Sequence, residues 1–139
     1  IAMRLPSAIL FLFYFIVVFA AGETTAQKKE FVATVDPDGV QRIEITAGEY
    51  FFEAQRIVVK MNVPVEIRIK KEQGLTPHRF ILSAPEAGID IKESLSAEPK
   101  TISFIPAKTG EFPFYCDQKL LFFKSHRERG MEGVLEVRE

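Results

Sequence analysis

V-P-V-E-I-R-I-K-K, residues 63–71, is the stretch that decides the fold class of this 139-residue chain. Apolar and charged side chains take turns along it, with Val63, Val65, Ile67 and Ile69 alternating with Glu66, Arg68 and Lys70. A period of two residues is typical of a β-strand whose sheet has one buried and one solvated face. The stretch therefore predicts a sheet protein, and similar patterns are found on both sides of it.

Short runs of this kind recur along the chain and are separated by turn residues such as D-P-D-G at 36–39. They predict strands over 31–35, 40–46, 50–53, 56–60, 78–83, 100–105, 111–116 and 133–138. Residues 84–97 contain proline, glycine and scattered charge, so they are predicted to form a long loop with at most one helical turn. Because the sequence has no long helical pattern, the fold is predicted to be an all-β sandwich of seven to eight strands.

The predicted strand 111–116 carries two further expectations. Phe112, Phe114 and Cys116 occupy alternate positions, so they are expected to share one face. Pro113 has no N–H to donate to a sheet, so it is expected at a sheet edge or at a bulge.

The N-terminal part of the sequence has a different character. Residues 8–21 form an uncharged apolar run of 14, preceded by Arg4. A membrane span needs roughly 20 apolar residues, and a run of this length is typical of the core of a signal peptide. Residues 1–26 are therefore predicted to be either a cleaved signal peptide or an N-terminal membrane anchor, and residues 27–139 to be the folded domain. In both cases the domain is expected to be exported to the periplasm, either free or anchored through residues 8–21.

Charge and cysteine content limit the classes of function. The sequence has 18 Lys and Arg against 19 Asp and Glu, a net charge of −1, which does not favour nucleic acid or an anionic membrane surface as a partner. It has one cysteine, Cys116, which can form no disulfide within the chain. An unpaired cysteine in an oxidising compartment is expected to be buried or bound to a metal.

Rare residues cluster in the last part of the chain. Cys116, His126 and Met131 fall within 16 residues, and the other histidine of the sequence, His78, begins a predicted strand. Two imidazoles, one thiolate and one thioether are the ligands of a mononuclear electron-transfer copper site. Taken singly, each residue has an ordinary alternative: a buried cysteine, a hydrogen-bonded or solvated histidine, or a methionine that fills the core. Their conjunction is what argues for a metal.

At this point the chain resembles the cupredoxin family from Phe31 to its C-terminus. The resemblance is carried by P-H-R-F-I-L (77–82), G-E-F-P-F-Y-C (110–116), H-R-E-R-G-M-E-G-V-L-E-V (126–137) and F-x(5)-I-V-V-K-x-N-V-P-V-E-I-R-I (51–69). It implies a cupredoxin-like Greek-key β-sandwich that holds one copper ion, alternating between Cu(I) and Cu(II), through His78, Cys116, His126 and Met131.

The chain departs from the family pattern near the ligands. Nine residues separate Cys116 from His126, as in the longer ligand loop of copper nitrite reductases. Arg79 stands where the family often has an asparagine that braces one ligand loop against the other. Asp117 is either an additional oxygen ligand or a solvated side chain.

The resemblance implies an electron-transfer protein that passes single electrons between exported redox partners such as a cytochrome or an oxidase. A periplasmic copper carrier or resistance protein with the same ligands is the first alternative, and a metal-free adhesion or accessory module is the second. No enzymatic activity is expected, because both histidines are already assigned and none is left for a second, catalytic copper.

The spacer between Cys116 and His126 suggests where a partner docks. Leu121, Phe122, Phe123 and Lys124 are the candidate docking residues, with further cations nearby at Lys119, Arg127 and Arg129. An apolar patch with a charged rim is typical of a docking surface. The alternative is that these aromatic side chains pack inward over the ligands and keep water away from the site.

Overall fold

A computed structural model describes residues 29–139, which form eleven strands and one 3-10 turn. The strands are β1 (Glu30–Val32), β2 (Thr34–Val35), β3 (Gln41–Gly48), β4 (Phe51–Phe52), β5 (Arg56–Lys60), β6 (Val65–Lys71), β7 (Arg79–Ala84), β8 (Ile89–Ser94), β9 (Lys100–Phe104), β10 (Gly110–Tyr115) and β11 (Glu132–Arg138). The predicted leader, residues 1–26, lies outside the described residues. Within the described range, no helix has the length and apolar character needed to cross a membrane.

The strands form two sheets. One has the order β1-β5-β11-β10-β7-β8, and the other has the order β2-β3-β6-β9, with β4 paired to β3. β5 runs parallel to β11 and β3 runs parallel to β6, so the chain crosses between the sheets instead of forming consecutive hairpins. The all-β sandwich predicted from the sequence is confirmed.

Alternation along the strands builds the core between the sheets. In β6 the side chains of Val65, Ile67 and Ile69 are fully buried, while Arg68 and Lys70 are exposed. Burying such aliphatic side chains contributes roughly 1.5 to 3 kcal/mol each, which is the main force that holds the sheets together. The sequence pattern at 63–71 therefore predicted the correct buried face.

Three aromatic rings fill the core beneath the end of the sandwich that carries the rare residues. Phe52 packs edge-on against Phe80 and Phe114, with ring centroids 5.7 and 5.4 Å apart, and Phe80 stacks on Phe114 at 5.2 Å. Phe112, Phe114 and Cys116 are all buried on one face, as the sequence predicted. The three rings belong to the same buried core as Cys116.

One prediction about an individual segment is wrong. Residues 84–97 are not a long loop, because they contain the 3-10 turn Pro85–Ala87 and strand β8, which pairs with β7 along its whole length. The alternation of buried Ile89 and Ile91 with exposed Asp90 and Lys92 was present in the sequence, but the neighbouring proline and glycine obscured it. The structure has eleven strands instead of seven or eight, because β8 was not predicted and the predicted strand 31–35 is divided into β1 and β2.

Of the two places expected for Pro113, a sheet edge or a bulge, the edge is excluded because β10 lies between β11 and β7. It is tolerated because the ladder between β10 and β7 is registered only at Tyr115 and Ile81. On its other side Pro113 faces Val134, whose N–H is donated away from β10 to the carbonyl of Gln55. The missing N–H of Pro113 therefore breaks no ladder hydrogen bond.

Candidate metal centre

Strand ends bring three of the four predicted ligands to one end of the sandwich. His78 directly precedes β7, Cys116 directly follows β10, and Met131 directly precedes β11. Because β10 and β11 are antiparallel neighbours, Cys116 and Met131 lie opposite each other, and the N–H of Cys116 donates to the carbonyl of Met131 at 3.1 Å. β7 is the other neighbour of β10, so His78 lies at the same end of the sandwich.

The loop 117–130 folds back on itself and returns His126 to this end of the sandwich. His126 donates its N–H to the carbonyl of Gln118 at 2.9 Å, and its own carbonyl accepts from the N–H of Met131 at 2.9 Å. Ser125 and Glu128 exchange hydrogen bonds between side chain and backbone, at 3.2 and 2.7 Å. This reciprocal arrangement is a capping box, which begins the turn that carries His126. The S-x-x-E pattern at 125–128 is the local signal of this turn in the sequence.

The side chains of His78, Cys116 and His126 converge. The two imidazole Nδ1 atoms are 3.2 Å apart, and the Sγ atom of Cys116 is 3.4 Å from Nδ1 of His126. Donor atoms of all three residues lie within 4.8 Å of one another. Bonds of roughly 2.0 to 2.3 Å from nitrogen and sulfur to a metal such as zinc place two ligands of one ion about 3 to 4 Å apart. The three side chains are therefore positioned to share a single ion.

Burial is a second property that the predicted ligands share. Cys116 and Met131 are fully buried, and His78 and His126 are 5% and 7% exposed. Met131 is held next to the cluster through backbone hydrogen bonds to Cys116 and His126. All four residues are thus shielded from bulk water at the same end of the sandwich.

Burial also sets the charge state of the cluster. It lowers the pKa of His78 to about 4, with the positive charges of His126 and Lys71 adding to the effect. It lowers the pKa of His126 as well, assisted by Arg129. Both rings are therefore neutral at neutral pH and offer a lone pair to a metal. Burial raises the pKa of the Cys116 thiol, so a metal that binds there must displace the thiol proton.

The chemistry of this donor set fits copper. Two imidazoles and one thiolate combine the soft and borderline ligands that suit both Cu(I) and Cu(II), and the backbone of Met131 adjoins them. Zinc sites are usually completed by a further Cys, His or carboxylate. No carboxylate joins the cluster within residues 29–139.

Three residues around the cluster, Arg79, Asp117 and Tyr50, have contacts that the sequence did not predict. Arg79 donates its backbone N–H to the Sγ atom of Cys116 at 3.3 Å, and its side chain pairs with Asp117 at 3.0 Å. Asp117 is therefore engaged with a cation and lies outside the donor cluster. Tyr50 packs edge-on against His126 with ring centroids 5.0 Å apart, although no local signal in the sequence marks it.

Tyr50 occupies an unusual backbone conformation next to the site. Its φ of 62° lies in the left-handed region, which costs a non-glycine residue roughly 1 kcal/mol or more. The guanidinium of Arg129 lies over its ring, 4.6 Å from the centroid. Tyr50 and Arg129 together cover one side of His126.

The apolar part of the spacer points outward. Leu120, Leu121, Phe122 and Phe123 are all exposed, and Phe122 is the most exposed at 88%. Of the two sequence-based alternatives, the surface patch therefore matches the structure and inward packing does not. Phe123, Lys124 and Arg129 also line a cavity of about 200 Å³ that reaches His126.

A protein-family model described as a cupredoxin-like domain matches residues 9–130. The chain belongs to the cupredoxin-like domain family. The resemblance found in its sequence is therefore confirmed, and the two-sheet sandwich is the fold expected of such a protein. A copper cofactor agrees both with this family and with the donor cluster of His78, Cys116 and His126.

Solved structures of three other proteins share the fold of this cupredoxin. The metal binding domain of the Cu(I) exporting P-type ATPase CopA from Streptococcus pneumoniae D39 is 23% identical, with a TM-score of 0.61 over 81% of this chain and 98% of the other. Auracyanin A, a "blue" copper protein from Chloroflexus aurantiacus, is 20% identical, with a TM-score of 0.53 over 72% and 100%. The periplasmic domain of cytochrome oxidase subunit II (CoxB) from Bradyrhizobium japonicum is 21% identical, with a TM-score of 0.51 over 70% and 83%. No match was found among curated protein sequences.

Proposed function

We propose that this cupredoxin binds one copper ion through His78, Cys116, His126 and Met131 and transfers single electrons between exported redox proteins. The observation that carries the proposal is the convergence of two neutral imidazoles and one thiol, all buried, within 4.8 Å at one end of the sandwich. Copper held by such ligands alternates between Cu(I) and Cu(II) and so accepts and donates one electron at a time.

The protein's own residues prepare this site in three ways. The strand ends and the hydrogen bonds of loop 117–130 position the donors before any metal arrives, so little rearrangement is required on binding. The aromatic rings of Phe52, Phe80 and Phe114 exclude water from beneath the site. The N–H of Arg79 stabilises negative charge on the Cys116 sulfur, which is a known means of tuning the potential of such a centre.

Copper carriage is the second candidate function. It is favoured by the likeness to the CopA metal binding domain, whose structure was determined with Cu(I). Passing copper to a partner requires incoming ligands to reach the metal. Here all four proposed ligands are buried, and the sequence holds only two histidines and three methionines, with no further cluster. Retention of the metal, and hence electron transfer, is the better fit, as in a "blue" copper protein such as auracyanin A.

The exposed spacer is proposed as the docking surface for the redox partner. Leu121, Phe122 and Phe123 form an apolar patch, and Lys124 extends it with positive charge next to His126. Charge complementarity points to a partner with an apolar contact surface and an acidic rim, a description that suits a cytochrome or an oxidase domain. No catalytic activity is proposed for the chain itself, because both of its histidines belong to the cluster.

The leader and the location remain part of the proposal. Residues 1–26 are proposed to direct export, as a signal peptide or as an anchor, and residues 27–139 to function in the periplasm. A periplasmic setting is consistent with the likeness to the periplasmic CoxB domain. In such an oxidising compartment an unpaired cysteine is expected to be buried or bound to a metal, as proposed here for Cys116.

The test is the visible spectrum of the purified protein during titration with Cu(II). We expect an intense thiolate-to-copper absorption that saturates at one equivalent, is bleached by reductant and returns on reoxidation. Cys116→Ala should abolish it, and His78→Ala or His126→Ala should shift or weaken it. Met131→Leu should also change the absorption, whereas its matched control Met61→Leu, at the opposite end of the sandwich, should not.

Two results would reject electron transfer. A colourless copper that is lost readily to a chelator would favour carriage. Copper retention and stability that do not change in His78→Ala or His126→Ala would favour a metal-free accessory module.

A further inference from the structure

Arg79 and Asp117 form an ion pair between the two chain segments that carry His78 and Cys116. Arg79 follows His78 at the start of β7, and Asp117 follows Cys116 just after β10. Nη1 of Arg79 lies 3.0 Å from Oδ2 of Asp117, although the two residues are 38 positions apart in the sequence. The pair therefore spans the gap between two neighbouring ligand segments.

The backbone of Arg79 contacts the same segment. Its N–H donates to Sγ of Cys116 at 3.3 Å, so this residue bonds both to the sulfur and to the side chain that follows it. The sheet itself contributes little here, because the ladder between β7 and β10 is registered only at Ile81 and Tyr115. The contacts of Arg79 are the link between the two strands that lies nearest to the site.

We infer that the Arg79–Asp117 ion pair is a positioning clamp, which holds the N–H of Arg79 on the Cys116 sulfur and keeps β7 closed against the ligand loop. The inference rests on the proposed copper function for its purpose, but the clamp itself exists in the metal-free protein. Arg79 and Asp117 are positioning residues and do not bind the metal.

The clamp is expected to affect local opening more than global stability. The side chains of Arg79 and Asp117 are 33% and 39% exposed, and such ion pairs contribute little to the stability of a fold. A local effect is measurable because Cys116 is fully buried and reacts only when β7 and the ligand loop separate. The rate of alkylation of Cys116 in the metal-free protein therefore reports the clamp directly.

The experiment uses iodoacetamide, an uncharged reagent, with Arg79→Gln, Asp117→Asn and the exchanged pair Arg79→Asp/Asp117→Arg. A clamp predicts that both single variants are alkylated faster, by about two- to fivefold, the factor that an exposed ion pair of ordinary strength supplies. The exchanged pair should return toward the wild-type rate. Arg68→Gln, which removes the same charge from a pair on the outer face of the other sheet, should leave the rate unchanged.

A charge effect without a clamp gives a different result. Loss of the Arg79 cation would then disfavour the thiolate and slow alkylation, while loss of the Asp117 anion would favour the thiolate and speed it. Opposite shifts, or wild-type rates in both single variants, would overturn the clamp.

Copper loading separates this inference from the proposed function. In the loaded protein, both single variants should release copper to a chelator about two- to fivefold faster than wild type, in line with the same ion-pair strength. If the wild-type protein binds no copper, the proposed function fails while the alkylation rates still decide the clamp. If copper binds normally but alkylation contradicts the clamp, the clamp fails and the function stands.

Discussion

At the level of single residues, the buried amide of Gln41 stabilises the turn that joins β5 to β6. Gln41 is fully buried, and its Nε2 donates to the carbonyls of Lys60 and Val63 at 2.8 and 3.1 Å. Its Oε1 accepts the N–H of Lys60 at 2.7 Å. One side chain thus satisfies three backbone groups of this turn. The flanking strands β5 and β6 belong to different sheets and do not pair with each other.

Gln41→Leu is expected to lower the free energy of unfolding by about 2 kcal/mol, because a buried backbone group that loses its partner costs roughly 1 to 3 kcal/mol. Urea denaturation of the metal-free protein measures the change. Gln73→Leu, in an exposed loop, should be nearly neutral. A cost for Gln41→Leu no greater than that of the control would mean that water replaces the lost hydrogen bonds.

At the level of elements, Arg56 ties β5 to three other strands of the same sheet. It pairs with Glu136 on β11, Glu111 on β10 and Glu30 on β1. The pKa of Glu136 is lowered from its ordinary value, first by Arg138 and then by Arg56. A carboxyl with a lowered pKa in the folded state adds stability above the pKa of the unfolded chain, and this stability is lost as the pH falls through the folded pKa.

Acidification below about pH 4.5, the range in which an unperturbed glutamate takes up its proton, should therefore destabilise the metal-free domain. Glu136→Gln removes one contributor, so its stability should depend less steeply on pH between 5 and 3. Urea denaturation across this range measures the slope, and Glu98→Gln, an exposed residue without an ion pair in the described range, is the control. Equal slopes in both variants would show that Glu136 does not contribute. High salt should reduce the difference, because exposed ion pairs are screened.

The ligand loop is the second element with a testable role. Its apolar tip is exposed next to the cavity that reaches His126. Leu121→Ser/Phe122→Ser should slow electron transfer to a soluble c-type cytochrome by about tenfold or more, which corresponds to the loss of roughly 1.4 kcal/mol of docking free energy. The visible copper spectrum should not change.

The matched control for the loop is Ile105→Ser, an exposed apolar residue beyond the end of β9 that is remote from the cluster. A rate that is unaffected in the loop variant, or reduced equally in the control, would place docking elsewhere on the surface.

At the level of the whole molecule, the proposed ligands come from three separate parts of the fold. A copper ion bound by His78, Cys116 and His126 would join the start of β7 to the end of β10 and to the loop that precedes β11. A ligand that binds the folded state stabilises it by about 2.7 kcal/mol at a hundred times its Kd. For a domain of this size such a gain raises the Tm by about 10 °C or more.

Copper should therefore raise the Tm of the wild-type protein and of Met61→Leu, and a chelator should reverse the shift. Cys116→Ala should show little shift, because it loses the thiolate ligand. Scanning calorimetry with and without one equivalent of copper measures both. A shift of equal size in Cys116→Ala would mean that copper binds at a different place.

The sequence by itself determined the class of fold and the identity of the candidate ligands. Alternation at 63–71 and at 111–116 is a local property, so it predicted the buried faces of β6 and β10 correctly. The site was proposed from scarcity: with one cysteine and two histidines in the chain, only one set of two imidazoles and a thiolate exists. Local patterns failed where a proline and a glycine masked β8, and the sheet edge, one of the two places expected for Pro113, is not where this residue lies.

Tertiary structure alone decided which distant residues meet and which surfaces remain exposed. The nine-residue spacer permits many separations of Cys116 and His126, and the backbone hydrogen bonds of the folded loop select the one in which sulfur and nitrogen are 3.4 Å apart. The same folding turns Phe122 outward. The contact of Arg79 with Cys116 depends on β7 lying beside β10, which no local pattern encodes, because strand order is set by long-range packing of the two sheets.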